Sequence, residues 1–438
     1  MVSAASLWLL HRWSRWGLIL GRFATVQVLV QSLNALTGLL YIRALDKQDY
    51  ALFTIASSIQ TTFNLISDCG INAGILSAGG RLWQDRGALG MLVATAMRLR
   101  LQLIAVAIVL VTPLEVWLLI RNGATILQAI LLTAVVIATA HFISTAAVLG
   151  VVTRLHSRYR EIQQVELTGA GFRLGLGAMT ALIFANAIVA AVCNGIAQLL
   201  QAILVRRQVR TLIPMHQQID SGFRTDLLSV VHRQAFYFFF YAFQGQVGIL
   251  LMGVFGGATQ VADLGALSRL AILTTVIGAI INHVVSPAFA RIRERRHLRR
   301  VVAEIMTGTI LWGLSSITLA IFFGKQILWV FGASYSHLER ELVWVMVSIA
   351  LGVILAVLWA LNTARGWLGS TWIMVPFTLA VQALLLRWLD LTSVHGIIQF
   401  GLLSQMPNLL VSAVMAVKGF RNFDRSGMAG NTLERILS

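Results

Sequence analysis

Cut at its polar and charged breaks, the chain falls into about twelve apolar stretches, at 23–42, 50–70, 98–119, 124–152, 160–184, 186–205, 235–256, 261–287, 301–323, 341–364, 370–389 and 395–418. A bilayer core needs about 20 apolar residues per helix, and inside it every backbone polar group must be satisfied within the segment. That pattern confines the chain to an all-α, multi-span membrane protein. Composition agrees: 58% of residues are hydrophobic and 12% charged, whereas soluble domains carry roughly 25% charged residues. The net charge of +17 would suggest nucleic acid in a soluble chain, but here its placement matters more, and no nucleic-acid partner is expected.

Alternate connections settle orientation, because Lys and Arg accumulate on cytoplasmic segments. With the N-terminus inside, cytoplasmic segments hold 26 of the 34 Lys and Arg and external loops hold 6. The remaining two, Arg173 and Arg269, lie inside spans. Both termini are therefore expected in the cytoplasm of a multi-pass protein. The segment 1–22 carries Arg12, Trp13, Arg15 and Trp16 and suits a cytoplasmic interfacial arm, not a cleaved leader. The basic connection 206–234 separates two lobes of six spans, 23–205 and 235–418, and 419–438 forms a cytoplasmic tail. An interfacial helix is expected near Thr225 to His232. Cys69 and Cys193 both sit in apolar segments and form no disulfide framework.

The lobes share a pattern. Gln27, Gln31, Asn34 and Gly38 follow i, i+4, i+7, i+11 and occupy one helical face of the first span. A shift of 210 residues gives Tyr237, Tyr241, Gln244 and Gly248 in the seventh span. Since each half has an even number of spans, the two enter from the same side, as parallel repeats about a pseudo-two-fold along the membrane normal. A substrate site between lobes near the midplane, worked by alternating access, is expected of that arrangement. Amides that merely glue helices together would account for the polar face but not for the matching offset.

The stretch from Gly257 to Arg300 runs from a polar turn through an apolar helix containing Arg269 to Pro287 and six arginines between Arg291 and Arg300. A similar design without the arginine spans Leu45 to Arg81. Arg43, Leu45, Tyr50 and Phe53, followed by Asp68 and Gly70, resemble the first-half pattern of the polysaccharide-exporting flippases of the multidrug/oligosaccharidyl-lipid/polysaccharide superfamily. Gly257, Val261, Ala262, Ala266, Arg269 and Leu270, then Pro287, Phe289 and Arg291, resemble its second half. Asp46 and Ala51 depart from it, standing where family members usually have glycine. The resemblance implies a MATE-like fold and movement of a polyprenyl-diphosphate-linked oligosaccharide from the cytoplasmic to the external leaflet of a bacterial inner membrane. Membrane lipids and glycan assembly proteins are the partners it implies.

An arginine near the centre of a lone helix costs roughly 2.5–3.5 kcal/mol on insertion scales. Arg269 lies about 13 Å inside one end of its span and Arg173 about 20 Å inside its own, at 1.5 Å per residue. Each should face a watery cavity or a partner. A guanidinium grips phosphate oxygens bidentately and stays charged when desolvated, so both are candidate headgroup ligands, with Gln27, Gln31, Asn34, Tyr237, Tyr241 and Gln244 lining the sugar cavity. The rival is an internal pair, Glu166 with Arg173 or Asp263 with Arg269. Glycines at 169, 171, 175 and 177 allow close backbone approach around Arg173. Glu166, Asp68 and His283 are candidates for ion coupling, with His141 a second histidine able to relay protons. Asp68 also suits a helix-end partner for nearby arginines.

No cofactor, metal site or enzyme activity is expected. Gly324 and Lys325 are followed by Gln326, so there is no Walker A motif, and no HExxH or Cys-x-x-Cys occurs. Two rival functions remain. A cation-coupled multidrug antiporter of the same superfamily would want a buried carboxylate in the first lobe. A membrane glycosyltransferase or polymerase would use Asp46 and Asp49 as a carboxylate pair.

Overall fold

The computed structural model describes residues 25–437 apart from positions 184, 215–217, 282–284, 287–288, 290–291 and 293, with side chains described as far as Arg421. The interfacial arm 1–22, His283 and Pro287 lie outside the described residues. The chain divides into two compact units that meet in sequence between Val254 and Phe255.

The first unit contains α1 (Thr25–Ala44), then α2 (Lys47–Asp68), α3 (Ile71–Leu82), α4 (Arg86–Arg121), α5 (Ile126–Leu155), α6 (Tyr159–Ile183), α7 (Ala187–Arg210), α8 (Ser221–Gln244) and α9 (Val247–Phe255), which ends at the boundary. α5 packs most extensively on α7, α6 on α7, and α2 on α4. Ile71 and Ile75 of α3, Leu89 and Leu92 of α4, Val148 and Val152 of α5, and Leu227 of α8 close an apolar core at one end. Side-chain oxygens start several of these helices by satisfying orphan backbone donors. Asp46 accepts from the Asp49 N–H at 2.7 Å, Asn186 from that of Val189 at 2.9 Å, and Thr125 forms a reciprocal capping box with Gln128.

The second unit contains α10 (Ala258–Ser268), α11 (Ile272–Ile280), α12 (Arg295–Phe331), α13 (Glu339–Arg365), α14 (Met374–Trp388), α15 (Val394–Ser404) and α16 (Met406–Leu437). Its core gathers Phe289, Leu298, Val353, Val357, Leu361 and Ala416. α13 ends at Gly366, whose φ of 68° is the left-handed conformation that glycine adopts without steric cost. The Trp367 N–H then reaches back to the Asn362 carbonyl at 2.8 Å.

Among the described residues, eight helices are long and apolar enough to cross a membrane, or nine when the bent pair 238–244 and 247–255 counts as one span. In each, 17 to 33% of the apolar window is buried in protein, so most of its surface is left to lipid. This is a multi-pass membrane protein. Three of the twelve expected spans are missing from that count. α2 and α6 have 22 and 25 residues but carry Asp68, and Glu166 with Arg173. The expected span 261–287 is divided by a 3-10 turn at Arg269–Ala271 and runs into residues outside those described.

Other boundaries also change. α4 begins at Arg86, not near residue 98, and holds Arg98 and Arg100 within 36 residues of helix. The separate interfacial helix expected near Thr225 to His232 does not exist, because α8 runs unbroken from Ser221 to Gln244. The seventh span instead bends by 56° between Gln244 and Val247, where Gly245 and Gln246 close a turn onto the Tyr241 and Phe243 carbonyls. α8 packs on α2, α3 and α4, so compactness counts this span with the first unit. Most of the expected tail, 419–438, continues α16 as helix.

Candidate functional site

α1, α6 and α7 enclose a cavity of about 240 Å³ in the first unit, lined by Gln27, Val30, Gln31 and Asn34 of α1, Glu166, Ala170 and Arg173 of α6, and Gln201 of α7. The polar stripe of α1 explains half of this lining. At 3.6 residues per turn, Gln27, Gln31 and Asn34 stack on one side, and the same rule sets Glu166, Ala170 and Arg173 along one face of α6. Lipid offers such groups no hydrogen bonds.

Arg173 is the electrostatic centre. Its Nη1 donates to Asn34 Oδ1 at 3.1 Å, which ties α6 to α1. Its Nε is buried with no hydrogen-bond partner among the described residues. A buried donor left unmade costs about 1–3 kcal/mol, and more when charged. Glu166 lines the same cavity, yet among the described residues no ion pair joins it to Arg173. The cavity thus holds a guanidinium with donor capacity to spare, a carboxylate and four amides.

The glycines of α6 divide into two kinds. A Cβ on Gly169 would run into the Gln201 side chain, and one on Gly177 would press against Thr37 Cγ2 at 3.2 Å and Tyr41 Oη at 3.5 Å. Gly171 and Gly175 face open space. Gly169 therefore lets Gln201 reach the cavity. Gln201 was not among the expected site residues, although Asn194, Gln198 and Gln201 follow the same i, i+4, i+7 spacing as the amides of span one. That repeat was the available signal in the sequence.

The other candidates are placed elsewhere. Asp68 ends α2, where its carboxylate meets Arg100 Nη1 at 3.4 Å and accepts from the Asn72 N–H at 3.2 Å. Arg100 also donates to Asn72 Oδ1 at 3.2 Å, and its side chain is 4% exposed. This fastens the α2–α3 corner, where Cys69 and Gly70 have φ of 40° and 85°, onto α4. Tyr241 and Gln244 lie on α8 just before its bend and do not line the cavity, and the side chain of Tyr237 is outside the described set. Of the six expected cavity residues, the three of span one line this cavity. His141 is exposed on α5.

In the second unit Arg269 is half-buried in the 3-10 turn between α10 and α11. Asp263, its expected rival partner, is buried and lies 3.0 Å from His337 Nε2. Asp46 and Asp49, the carboxylates an enzyme would use, both serve helix N-termini. Asp46 caps α2, and Asp49 accepts from the Ala187 N–H at 3.2 Å. Among the described residues no group of three or more His, Cys, Asp or Glu side chains could hold a metal ion.

No known protein family matches the sequence, and no curated protein does. Solved structures do match the fold. One is the inward-facing conformation of a multidrug resistance MATE family transporter of the MOP superfamily, 14% identical, with a TM-score of 0.69 over 92% of this chain and 98% of that one. Another is the lipid II flippase MurJ in an inward closed conformation, 11% identical, with a TM-score of 0.69 over 95% of this chain and 92% of that one. A third is a MOP superfamily transporter from Pyrococcus furiosus Vc1, described as having a binding pocket of reverse polarity, 15% identical, with a TM-score of 0.59 over 92% and 94%. At these identities the likeness establishes the fold alone, an all-helical multi-span fold like that of these MOP-superfamily neighbours, which are transporters, not enzymes.

Proposed function

We propose that the chain is a flippase that moves a polyprenyl-diphosphate-linked oligosaccharide from the cytoplasmic to the external leaflet by alternating access, with Arg173 as a headgroup ligand. The observation that carries this reading is the buried Nε of Arg173, unpartnered among the described residues, in a cavity whose other polar lining is four amides and the Glu166 carboxylate. A guanidinium in that state lacks an anion, and phosphate oxygens match its fork. Amides supply paired donors and acceptors suited to sugar hydroxyls. The volume corresponds to roughly eight water molecules at about 30 Å³ each. It suits a headgroup and its nearest sugar, with the polyprenyl chain left in the bilayer. A structural neighbour that acts on lipid II supports the substrate class. Arg269 is proposed as a second headgroup ligand, on the weaker ground of its place within a span.

The chain is further proposed to lie in a bacterial inner membrane with both termini cytoplasmic, following its Lys and Arg distribution. A cation-coupled multidrug antiporter is the second reading, and one observation favours it: Glu166 sets a carboxylate in the first-unit cavity, where no acid of the first span could. Purified protein in proteoliposomes separates the two. The flippase reading expects translocation of a diphosphate-linked sugar lipid, lost in Arg173→Ala and retained in Glu166→Gln. Efflux of an organic cation lost in Glu166→Gln would establish the antiporter instead.

A further inference from the structure

α4 carries a group that the cavity does not use. Glu115 stands six residues before Arg121, the last residue of α4, about 9 Å along the axis at 1.5 Å per residue. It is 0% exposed, and neither carboxylate oxygen has a hydrogen-bond partner among the described residues. Its neighbours along the same helical face, Val111, Leu118 and Leu119, are also 0% exposed. The nearby Thr112 hydroxyl is buried without a partner, and Pro113 removes a backbone donor from the same turn.

Charged groups on the surrounding helices are engaged elsewhere or stand at the far end. On α2, which packs along α4, Asp49 accepts from the Ala187 N–H and Asp68 meets Arg100. Lys47 and Tyr50 complete the titratable groups at the start of α2. α3 offers Arg81, α5 offers His141 and Arg154, and α8 offers Arg224, Asp226, His232 and Tyr241. On α4 itself the Arg121 guanidinium donates to the Val254 carbonyl at 2.7 Å and covers the Trp117 ring at 5.6 Å. Among the described residues none of these forms an ion pair with Glu115. An ionised carboxylate with no donor in such surroundings carries a penalty of several kcal/mol even after relaxation, whereas the neutral acid avoids most of it.

We propose that Glu115 is a proton-binding site coupled to the packing of α4 against α2 and α5. The carboxyl keeps its proton while the helices are packed and releases it to water as a carboxylate only when that packing opens. Proton occupancy and helix packing therefore change together. The inference stands apart from the choice of transported substrate, since it uses no residue of the Arg173 cavity.

Infrared spectroscopy of the full chain in phosphatidylethanolamine/phosphatidylglycerol vesicles tests the first half. At neutral pH, where exposed carboxyls are ionised, the wild type should show the carbonyl stretch of an unbonded carboxylic acid, lost in Glu115→Gln and moved in Glu115→Asp. Identical wild-type and Glu115→Gln spectra at neutral pH would overturn the proposal. If Glu115→Gln does not fold, the frequency shift in Glu115→Asp carries the same decision. The coupling is read by hydrogen exchange of α2 and α4 amides as pH rises through the loss of that band. Exchange should accelerate in the wild type beyond that of Glu115→Gln at the same pH. Equal acceleration in both proteins would overturn the coupling.

Discussion

One Arg173 nitrogen links α6 to α1 through Asn34 while another remains unpartnered, so charge and geometry make separate predictions. Hydrogen bonds to charged groups contribute about 1.5–3 kcal/mol, or roughly tenfold to over a hundredfold in a rate or affinity. Arg173→Ala should slow transport of a diphosphate-linked sugar lipid in proteoliposomes by about that factor. Arg173→Lys should recover only part, because an ammonium lacks the planar fork. The glycines give a steric test. Gly169→Ala should lower transport and melting temperature by forcing Gln201 out of place, and Gln201→Ala should restore both measurements in that background. Gly175→Ala, with open space for its methyl, should raise helix stability by about 0.5–1 kcal/mol. In thermal melts, equal effects at 169 and 175 would contradict this account. The lining was legible in sequence where polar residues recur at helical spacing, as Gln27, Gln31 and Asn34 do. Gln201 shares that spacing with Asn194 and Gln198 and was legible in the same way, whereas Glu115, outside the lining, is a single acid in the apolar half of α4 whose importance depends on what other helices place beside it.

At the scale of elements, the corner of α2, α3 and α4 shows why charge misleads a reading of spans. Arg98 and Arg100 stand at the expected start of the third span, yet Arg100 Nη1 meets Asp68 and Asn72 from earlier in the chain while its Nε has no partner among the described residues, and the helix passes through. No local pattern in α4 encodes that partner. Breaking a buried pair on one side costs about 3–5 kcal/mol, because the remaining charge is left uncompensated. Asp68→Ala should therefore lower stability by up to that amount, discounted because Asp68 is 20% exposed. The double variant Asp68→Ala/Arg100→Leu should regain most of the loss in denaturant or thermal unfolding. Preserved stability in Asp68→Ala, with altered ion dependence of transport, would instead make Asp68 a coupling group. The bend after Gln244 carries no proline, and its mark in the sequence is Gly245 between Gln244 and Gln246. In the second unit Gly396 is the element-level counterpart of Gly169. A Cβ there would collide with the Asp390 carbonyl that shapes the start of α15, so Gly396→Ala should unfold at lower temperature than the wild type.

For the molecule as a whole, the all-helical, multi-span class followed directly from the apolar runs, because lipid leaves a backbone few alternatives. The number of spans did not follow as cleanly. α6 of the Arg173 cavity and α2 of the Asp68 corner are too polar to count, and hydropathy weighs each alone whereas the fold places neighbours beside their polar groups. The Lys and Arg asymmetry predicts topology independently of function: a cysteine placed at Ser336 should react with an impermeant thiol reagent from outside intact cells, and one at Arg224 only after permeabilisation. The central claim is that this fold moves a diphosphate-linked sugar lipid by means of Arg173. Its most direct test is leaflet exchange of a labelled polyprenyl-diphosphate-linked saccharide in liposomes containing purified protein. The account predicts protein-dependent exchange that falls by about tenfold or more in Arg173→Ala. Equal exchange by wild type and Arg173→Ala, or none by the wild type, would contradict it.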